Sequence, residues 1–501
     1  MKNIFRNKIG IVAGVIVMML SNCTKLTDNL STDPVNITKE NQVPVPQFIS
    51  GVETSLIGVY EGDVARTAGM WCQYFDGEDR QYAGLNNYVT SGQDYDNEWV
   101  TIYTAIFNNT KIIKSRSRAV NNNTAVGIAQ IMEAMSIGTA ADLWGDVPFS
   151  EICQYPTIAT PKFDTQASVY AAAQVLLDSA IVNLSLAGKV GSEDFFYNGD
   201  INKWTAAAHT IKARLYLHVR DYANVLSQAA AGISNVTGNM MAPHGSAYLQ
   251  TFNLYYSFLT YDRSGYMADN IAYAPTLLDP SSANYRGNSK TNENGRMNYY
   301  FAPFAYWGGL NTGAKYDPNV LVTFDWGTAA KYNGFFGAIT SFPLVTFQEN
   351  ALLLAEANAK LGNTQPAIDA LNNLRAYYRT GAQFGASTAY INDPDLGGVK
   401  YDDYVAADFN AGGIENADNI SASQALIREV LEERYVTLIG QIEGYTDMRR
   451  TGNFLKIPYA PGKTDFPRRL LYSQIEVNTN PNVPTTGVGL YDPVTSFSTP
   501  Y

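Results

Sequence analysis

The sequence predicts a mainly α-helical fold in which helix pairs are joined by long, loop-rich insertions. Along much of the chain, apolar residues recur every three or four positions, which is the spacing of one helix face. Two segments form helix–turn–helix pairs with small residues where the helices would meet, and two others are rich in Tyr, Asn and Gly with weak periodicity. With 501 residues, the chain is long enough to bury a large core.

The individual helices follow from the apolar period. In residues 422–443, for example, Ile427, Val430 and Leu431 fall on one helix face. The same pattern predicts helices at residues 96–114, 125–143, 166–186, 204–219, 222–233, 343–361 and 366–378.

Two of the helix pairs resemble tetratricopeptide units. One begins at Leu353, turns at Gly362 and continues to Leu371, and the other runs from Tyr216 to Ala229. Alanines at the contact positions let the helices approach closely, and glycine is suited to end the first helix. Because long insertions separate the two pairs, the sequence predicts tetratricopeptide-like helix pairs within a larger fold rather than a regular solenoid.

The two insertions, residues 238–341 and 381–420, are predicted to be loop-rich. The first holds many aromatic residues, among them Tyr316 and Trp326. Tyrosine is abundant in the whole chain, with 34 residues against 22 Phe, and it combines a flat apolar ring with a hydroxyl group. Loops of this length on a helical scaffold usually bind a ligand.

Composition limits the partner and the role of cysteine. The formal net charge of −11 argues against nucleic acid as a partner. The chain has three cysteines, which is too few for a disulfide framework, and whether Cys72 and Cys153 pair stays open.

The N-terminus has the order of a bacterial lipoprotein signal. Lys2, Arg6 and Lys8 precede twelve uncharged residues, and the sequence Leu-Ser-Asn-Cys, which ends at Cys23, resembles a lipobox. The apolar run is shorter than a membrane span. We therefore expect residues 1–22 to be a signal peptide and Cys23 to carry the lipid that anchors the protein to the outer membrane, facing the cell exterior.

The remaining chain divides into a short linker and one large unit. Residues 23–47 are polar and interrupted by prolines, which predicts a flexible tether. Residues 48–501 are expected to form a single helical domain, without a second segment long and apolar enough to span a membrane.

Several motifs in order resemble those of the SusD/RagB-like family of outer-membrane nutrient-binding lipoproteins. They are Trp-Gly-Asp-Val-Pro at 144–148, the Leu- and Ala-rich helix at 352–357, Glu-Arg-Tyr at 433–435, Arg-Arg-Thr-Gly at 449–452 and Pro-Arg-Arg-Leu-Leu-Tyr at 467–472. Ser473 stands where the family usually has Pro, and the segment between Glu443 and Arg449 lacks the usual aromatic pair. The resemblance is therefore to the divergent SusD-like branch.

This resemblance implies both a fold and a function. The fold would be α-helical and built on four tetratricopeptide-like pairs, with Gly145 and Pro148 turning the chain and with Arg449 and Arg450 capping or pairing near helix ends. The protein would bind an oligomeric nutrient, either an oligosaccharide or an oligopeptide, and pass it to a TonB-dependent outer-membrane barrel. No cofactor is implied.

The sequence gives little support for catalysis or metal binding. His209, His218 and His244 do not have zinc-ligand spacing. Acidic residues 94–98 resemble the start of a calcium loop, but the position that requires Gly is Trp99, so helix-start roles are favoured. No nucleophile elbow, P-loop or dinucleotide motif occurs. A binding protein is therefore expected rather than an enzyme, and a surface glycoside hydrolase or a scaffold without ligand remains an alternative.

The candidate ligand-binding residues combine aromatic rings with polar groups, because sugar rings stack on aromatic faces while polar groups take the hydroxyls. They are Trp71, Tyr74, Asp76, Arg80 and Tyr82 in one stretch, and Arg263, Arg296, Tyr316 and Trp326 in the first insertion. A glycan is favoured over a peptide, which would use apolar pockets and backbone partners. The opposing interpretation is that Trp71 and Phe75, four residues apart, are core positions of a helix.

Overall fold

The computed structural model describes residues 43–247, 250–302, 316–320, 334–384, 399–495, 497 and 501. Its α-helices are α1 Val45–Glu61, α2 Asp63–Trp71, α3 Arg80–Asn86, α4 Asp96–Val100, α5 Asn108–Ala119, α6 Asn123–Trp144, α7 Gln166–Leu184, α8 Ile201–His218, α9 Tyr222–Ala229, α10 Leu254–Ser257, α11 Tyr273–Leu278, α12 Asn294–Tyr300, α13 Phe347–Lys360, α14 Thr364–Arg379, α15 Ala422–Thr437, α16 Glu443–Arg450 and α17 Gln474–Thr479. The prediction of a mainly α-helical fold is confirmed.

The described strands are short and pair two by two. They are β1 Asp76–Gly77, β2 Met240–Ala242, β3 Met267–Ala268, β4 Thr291–Asn292, β5 Phe301–Ala302, β6 Asp317–Pro318, β7 Phe342–Val345 and β8 Lys400–Tyr401. All four pairs are antiparallel: β1 with β3, β2 with β7, β4 with β8, and β5 with β6. The β1–β3 and β2–β7 pairs join the first insertion to segments outside it, the β4–β8 pair joins the two insertions, and the β5–β6 pair lies within the first insertion. These short ribbons hold the loop-rich segments in place.

The helices stack in pairs along one line of neighbours. Contacts run from α1 to α5, then through α6, α7, α8 and α9 to α13 and α14, and α15 packs on α13. The two predicted tetratricopeptide-like pairs, α8–α9 and α13–α14, are direct neighbours in space although the first insertion separates them in sequence. Their shared core includes Leu217, Val225 and Leu353, all essentially buried.

Several predicted helix limits need correction. The helix predicted over residues 422–443 ends at Thr437, and α16 begins at Glu443; Gly440, with a φ of +82°, lies in the turn between them. Residues 342–345 form β7, and α13 starts only at Phe347, after the Thr346 hydroxyl caps the Glu349 amide at 3.1 Å. Between α4 and α5, residues 101–107 adopt π-helical geometry within the predicted helix.

The motif residues have the structural roles implied by the resemblance. Gly145 has a φ of +84° and ends α6. Arg449 on α16 donates from Nη2 to Oδ2 of Asp142 at 2.6 Å, and Arg450 pairs with Glu356 on α13 at 2.5 Å. These ion pairs connect α16 to α6 and to α13.

One helix meets the length and hydropathy of a membrane span, contrary to the expectation from sequence. This helix is α7, and a third of its most apolar 18-residue stretch is buried. Its inner face, which includes Val169, Ala173 and Leu177, packs between α6 and α8. Its composition is that of a helix in a helical stack, with Val175 and Val182 on the outer face.

Candidate functional site

A cleft lies where the segment after α2 meets the start of the first insertion. The β1–β3 pair sets Asp76 opposite Ala268, and the Glu78 amide donates to the carbonyl of Tyr266 at 2.8 Å. From the other side, the buried Glu61 carboxylate accepts the Leu254 amide at 2.7 Å. Three connections therefore hold the insertion against α1 and α2.

The cleft has a volume of about 370 Å³ and is lined by Asp63, Arg66, Gln81, Tyr82, Phe258, Asp262 and Arg263. A closed set of hydrogen bonds forms its floor. Arg66 donates from Nη2 to Oδ1 of Asp63 at 2.5 Å and from Nε to the Tyr82 hydroxyl at 3.2 Å. The Tyr82 hydroxyl in turn donates to the same Asp63 oxygen at 3.0 Å.

Aromatic rings line the wall of the cleft. The Tyr82 and Phe258 rings have centroids 4.8 Å apart, and the Arg66 guanidinium lies 4.4 Å from the centroid of Phe258. Next to them, the Tyr266 ring has Arg80 at 5.5 Å and Arg263 at 5.8 Å from its centroid. The structure thus gathers Arg80, Tyr82 and Arg263, three of the residues predicted from sequence, around Tyr266.

The charges on the floor are fixed by their mutual contacts. Burial by itself raises the pKa of Asp63, but the Arg66 charge and the hydrogen bonds from Arg66 and Tyr82 hold it below its ordinary value. Burial raises the pKa of Tyr82 to about 12. At neutral pH the floor therefore presents a carboxylate, a guanidinium and a neutral phenol, a set that can both accept and donate hydrogen bonds.

An irregular helix supplies the outer edge of the cleft. Residues 258–262 are π-helical and directly follow α10, whose first turn is capped by the Asn253 side chain at 3.1 Å from the Tyr256 amide. The segment ends in Asp262 and Arg263, which line the cleft. Just before them, Tyr261 is 44% exposed and its ring stacks on Phe252. Such π-helical turns are frequent at functional sites.

Two predicted ligand-binding aromatics lie in the core. Trp71 is fully buried, donates from its indole nitrogen to the Leu85 carbonyl at 2.9 Å, and packs against Tyr445. Tyr74 is also fully buried and donates its hydroxyl to the carbonyl of Tyr435 at 2.8 Å. The interpretation of Trp71 as a core residue describes this structure, and neither ring has a free face for a ligand.

Three further predicted residues are held by the protein itself. Asp76 is buried and its carboxylate accepts the Ile271 amide at 2.5 Å, and burial raises its pKa to about 6. Arg296 is buried in an ion pair with Glu433 at 2.9 Å. Tyr316 is 6% exposed and its hydroxyl contacts Asp279. Trp326 and Cys23 lie outside the described residues.

The histidines and acidic turn also have structural partners. His218 bonds Glu443 at 2.9 Å, His244 bonds Glu61 at 2.9 Å, and His209 bonds Gln228 at 2.9 Å. Asp94 forms a capping box with Ser91, in agreement with its predicted helix-start role. Cys72 and Cys153 are both free thiols.

Sequence reasoning missed the adjacent Tyr266 and five residues that line the cleft: Asp63, Arg66, Gln81, Phe258 and Asp262. Asp63 and Arg66 are three residues apart at the start of α2, a spacing that places them on one helix face. That spacing was a usable signal. Phe258 and Tyr266 gave no signal, because contacts between distant parts of the chain, the β1–β3 pairing among them, bring them to α2.

Comparisons with known proteins agree with this fold. The profile of the SusD-like family, described as starch-binding associating with outer membrane, matches residues 36–473. No protein in the curated set matches. A SusD/RagB family protein from Bacteroides thetaiotaomicron has 21% identity and a TM-score of 0.64, with 88% of this chain and 95% of that chain covered.

Two other solved structures are similar over nearly the whole chain. A SusD homologue from Bacteroides uniformis has 18% identity and a TM-score of 0.63, with 89% and 99% of the two chains covered. A chitin-binding SusD homologue from Flavobacterium johnsoniae has 15% identity and a TM-score of 0.60, with 87% and 92% covered. With the family profile spanning most of its length, this chain belongs to the SusD-like family.

Proposed function

We propose that the protein binds an oligosaccharide in the cleft and delivers it to a TonB-dependent outer-membrane transporter. The observation that carries the proposal is the Tyr266 ring flanked by Arg80 and Arg263, beside the hydrogen-bonded floor of Asp63, Arg66 and Tyr82. The similarity to a chitin-binding homologue supports a carbohydrate ligand.

The chemistry of the cleft suits a sugar. The half-buried ring of Tyr266 is flanked by guanidinium groups, and tyrosine rings can stack on the apolar C–H face of a pyranose. Guanidinium groups donate several hydrogen bonds in a fixed fork, and the Asp63 carboxylate can accept hydrogen bonds. Sugar hydroxyls, which both donate and accept, therefore find donors and acceptors in the cleft. The floor is pre-formed by contacts within the protein, which lowers the entropic cost of binding.

The cleft supports binding rather than hydrolysis. A glycosidase needs one carboxyl group that is protonated near neutral pH beside a second that is ionised. Of the two acids that line the cleft, Asp63 has a lowered pKa and is held by Arg66. Glu98, whose pKa burial raises to about 7, is 5% exposed and is not part of the lining.

A peptide is the second candidate ligand. Asp63 and Asp262 lie in the same cleft as Arg66 and Arg263, so one cleft presents both signs of charge. Such a cleft can hold the ammonium and carboxylate ends of an oligopeptide. Titration with both oligosaccharides and oligopeptides separates the two ligands.

The location and partner complete the proposal. In it, residues 1–22 are removed, Cys23 carries the lipid anchor, residues 23–47 form the tether, and residues 48–501 form the binding domain that faces the cell exterior. The family's description as associating with the outer membrane supports this placement. The transporter barrel would receive the ligand from the cleft.

The test is a calorimetric titration of the full-length protein in detergent with chito-oligosaccharides, malto-oligosaccharides and mixed oligopeptides. Binding of one glycan class that weakens at least tenfold in Arg263→Ala supports the proposal. Arg118→Ala is the matched control, because Arg118 is an exposed arginine on α5 outside the lining of the cleft. Binding of peptides alone, or equal affinities in both variants, overturns it.

A further inference from the structure

A second pocket lies on the other side of the aromatic core, between the β2–β7 ribbon, α12 and α14. It has a volume of about 180 Å³. We call it the amide pocket, because the side-chain amides of Asn239, Gln348, Gln383 and Gln441 all line it. None of the residues that line it is charged.

Aromatic rings form the apolar part of the amide pocket. Tyr299, Phe335 and Tyr377 line it together with Tyr300. Tyr299 meets Phe335 edge-on with centroids 5.6 Å apart, and Tyr377 meets Phe347 edge-on at 5.8 Å. These contacts fix the orientation of both partly exposed tyrosines, so their rings are pre-oriented platforms.

The polar groups are also held in place, and one of them lacks a partner. Asn239 accepts the Phe347 amide at 2.8 Å and donates to the Gln348 side chain at 3.1 Å. Within the part of the chain that the structure describes, Oε1 of Gln383 is buried and has no hydrogen-bond partner. The Gln383 side chain is nevertheless hydrogen-bonded to Tyr300, which also lines the pocket, so its amide is held at the pocket wall.

We propose that the amide pocket is a second binding site, specific for one neutral sugar ring. Flat rings with amide partners suit the apolar faces and hydroxyls of a pyranose. Its volume lies below the roughly 300–1,000 Å³ of pockets for drug-sized ligands, so a single ring fits rather than a chain. A charged terminus of a peptide or a uronic acid would lose its hydration without an opposite charge in return.

The proposal goes beyond the function of the cleft and does not depend on it. The buried rings of Phe75, Tyr255 and Phe336 lie between the two sites, with Phe336 packed against Phe335 of the amide pocket. The cleft contains both signs of charge and the amide pocket contains none of either. A ligand class can therefore bind at one site without binding at the other.

The test uses saturation-transfer NMR and titration of the full-length protein in detergent with N-acetylglucosamine, glucose, glucuronic acid and glucosamine. We expect at least one of the two neutral sugars to bind, and the charged sugars to bind at least tenfold more weakly. Tyr377→Ala and Gln383→Ala should each weaken binding tenfold or more. Tyr377→Phe, which keeps the ring, should stay within threefold of the parent.

The outcomes distinguish this site from the cleft. Loss of neutral-sugar binding in Arg263→Ala, with no effect of Tyr377→Ala or Gln383→Ala, would place the sugar in the cleft and overturn the proposal. Binding of the charged sugars as tight as that of the neutral ones, or no transfer to either neutral sugar in the folded parent, also overturns it. Unchanged circular dichroism of each variant checks that the fold is intact.

Discussion

The hydroxyl of Tyr82 links the two charges of one ion pair: it accepts from Nε of Arg66 at 3.2 Å and donates to Oδ1 of Asp63 at 3.0 Å. Arg66 and Asp63 also contact each other directly at 2.5 Å. The three groups therefore orient one another, and the shape of the cleft floor depends on a hydroxyl that contributes no charge of its own.

Removing that hydroxyl tests the floor. In Tyr82→Phe the ring stays against Phe258, but Arg66 and Asp63 each lose a partner. We expect a loss of about 1–2 kcal/mol in the free energy of unfolding and weaker ligand binding in the cleft. Urea denaturation and calorimetry measure the two effects. Tyr155→Phe, at a tyrosine that is 81% exposed and outside the lining of the cleft, is the control, and equal losses in both variants would refute the argument.

The burial of Trp71 gives a second prediction. Trp71→Ala removes a fully buried indole and its hydrogen bond to Leu85, so we expect it to lower the free energy of unfolding by about 3–5 kcal/mol. Trp71→Phe should cost less. In the folded fraction of Trp71→Phe, ligand affinity should equal that of the parent. A tenfold loss of affinity with unchanged stability would instead support Trp71 as a ligand platform.

The Glu53 carboxyl predicts a fall in stability at high pH. Burial, together with the neighbouring Asp194, raises the pKa of Glu53 to about 10. Its folded pKa lies above the unfolded value of 4.5, so the folded state binds the extra proton and loses stability as pH rises from about 5 towards 10. We expect Glu53→Gln to stabilise the protein by about 1–2 kcal/mol at pH 8, measured by urea denaturation between pH 5 and pH 9.

A second substitution separates the effect of the Glu53 charge from a gain in stability that does not depend on pH. Glu53→Gln should flatten the pH dependence, because the amide does not titrate. Glu193→Gln removes a neighbouring charge that also raises the pKa of Glu53, as the last of its causes, so it should reduce the slope less than Glu53→Gln does. An equal slope in parent and Glu53→Gln would contradict the assignment.

The His218–Glu443 pair predicts losses at both ends of the pH range. Burial lowers the pKa of His218, but the charges of Glu443 and Asp142 outweigh it and raise the net value. The stability that the charged His218 contributes is complete below its pKa in the unfolded state and is lost as pH rises through its pKa in the folded state. Burial raises the pKa of Glu443, but His218 and Arg214 lower it to about 2, so its contribution is lost as pH falls from about 4.5 towards 2.

Exchange of the histidine checks this pair. His218→Gln keeps a hydrogen-bond donor to Glu443 but cannot be charged, so we expect lower stability at pH 6 and a smaller further decrease between pH 7 and pH 9 than in the parent. Thermal unfolding across that range measures both. His209→Gln, at a partly buried histidine on the same helix, is the matched control, and the same profile in both variants would exclude the pair as the cause.

The sequence predicted the helical scaffold well because its signals are local. The apolar period located α6, α7 and α8, and the small residues near Gly362 identified a helix pair. The prediction failed after Thr437, where the helix ends and the chain turns through Gly440 at a φ of +82° although the apolar period continues. An apolar period cannot report a left-handed residue inside it.

The ligand site was only partly predictable, for a different reason. Composition cannot tell an aromatic ring in the core from one in a cleft, and Trp71 and Tyr82 lie eleven residues apart in the same stretch. Which ring faces the cleft depends on the β1–β3 pairing, a contact between residues that are nearly 200 positions apart. Arg80 is brought to Tyr266 by that pairing and by the bond between Glu78 and Tyr266, whereas Arg263 lies only three residues before Tyr266 in the sequence.

The stacking of α9 on α13 has a consequence for how such proteins diversify. Val225 and Leu353 share one small core although the first insertion lies between them, so the ends of the insertion are held by packing that is independent of its content. Closing a loop of twice the length costs only about 0.6 kcal/mol more. Changes of length in the exposed parts of the insertion should therefore cost the helical stack little, while its buried residues, such as Tyr255 and Phe336, remain tied to the core.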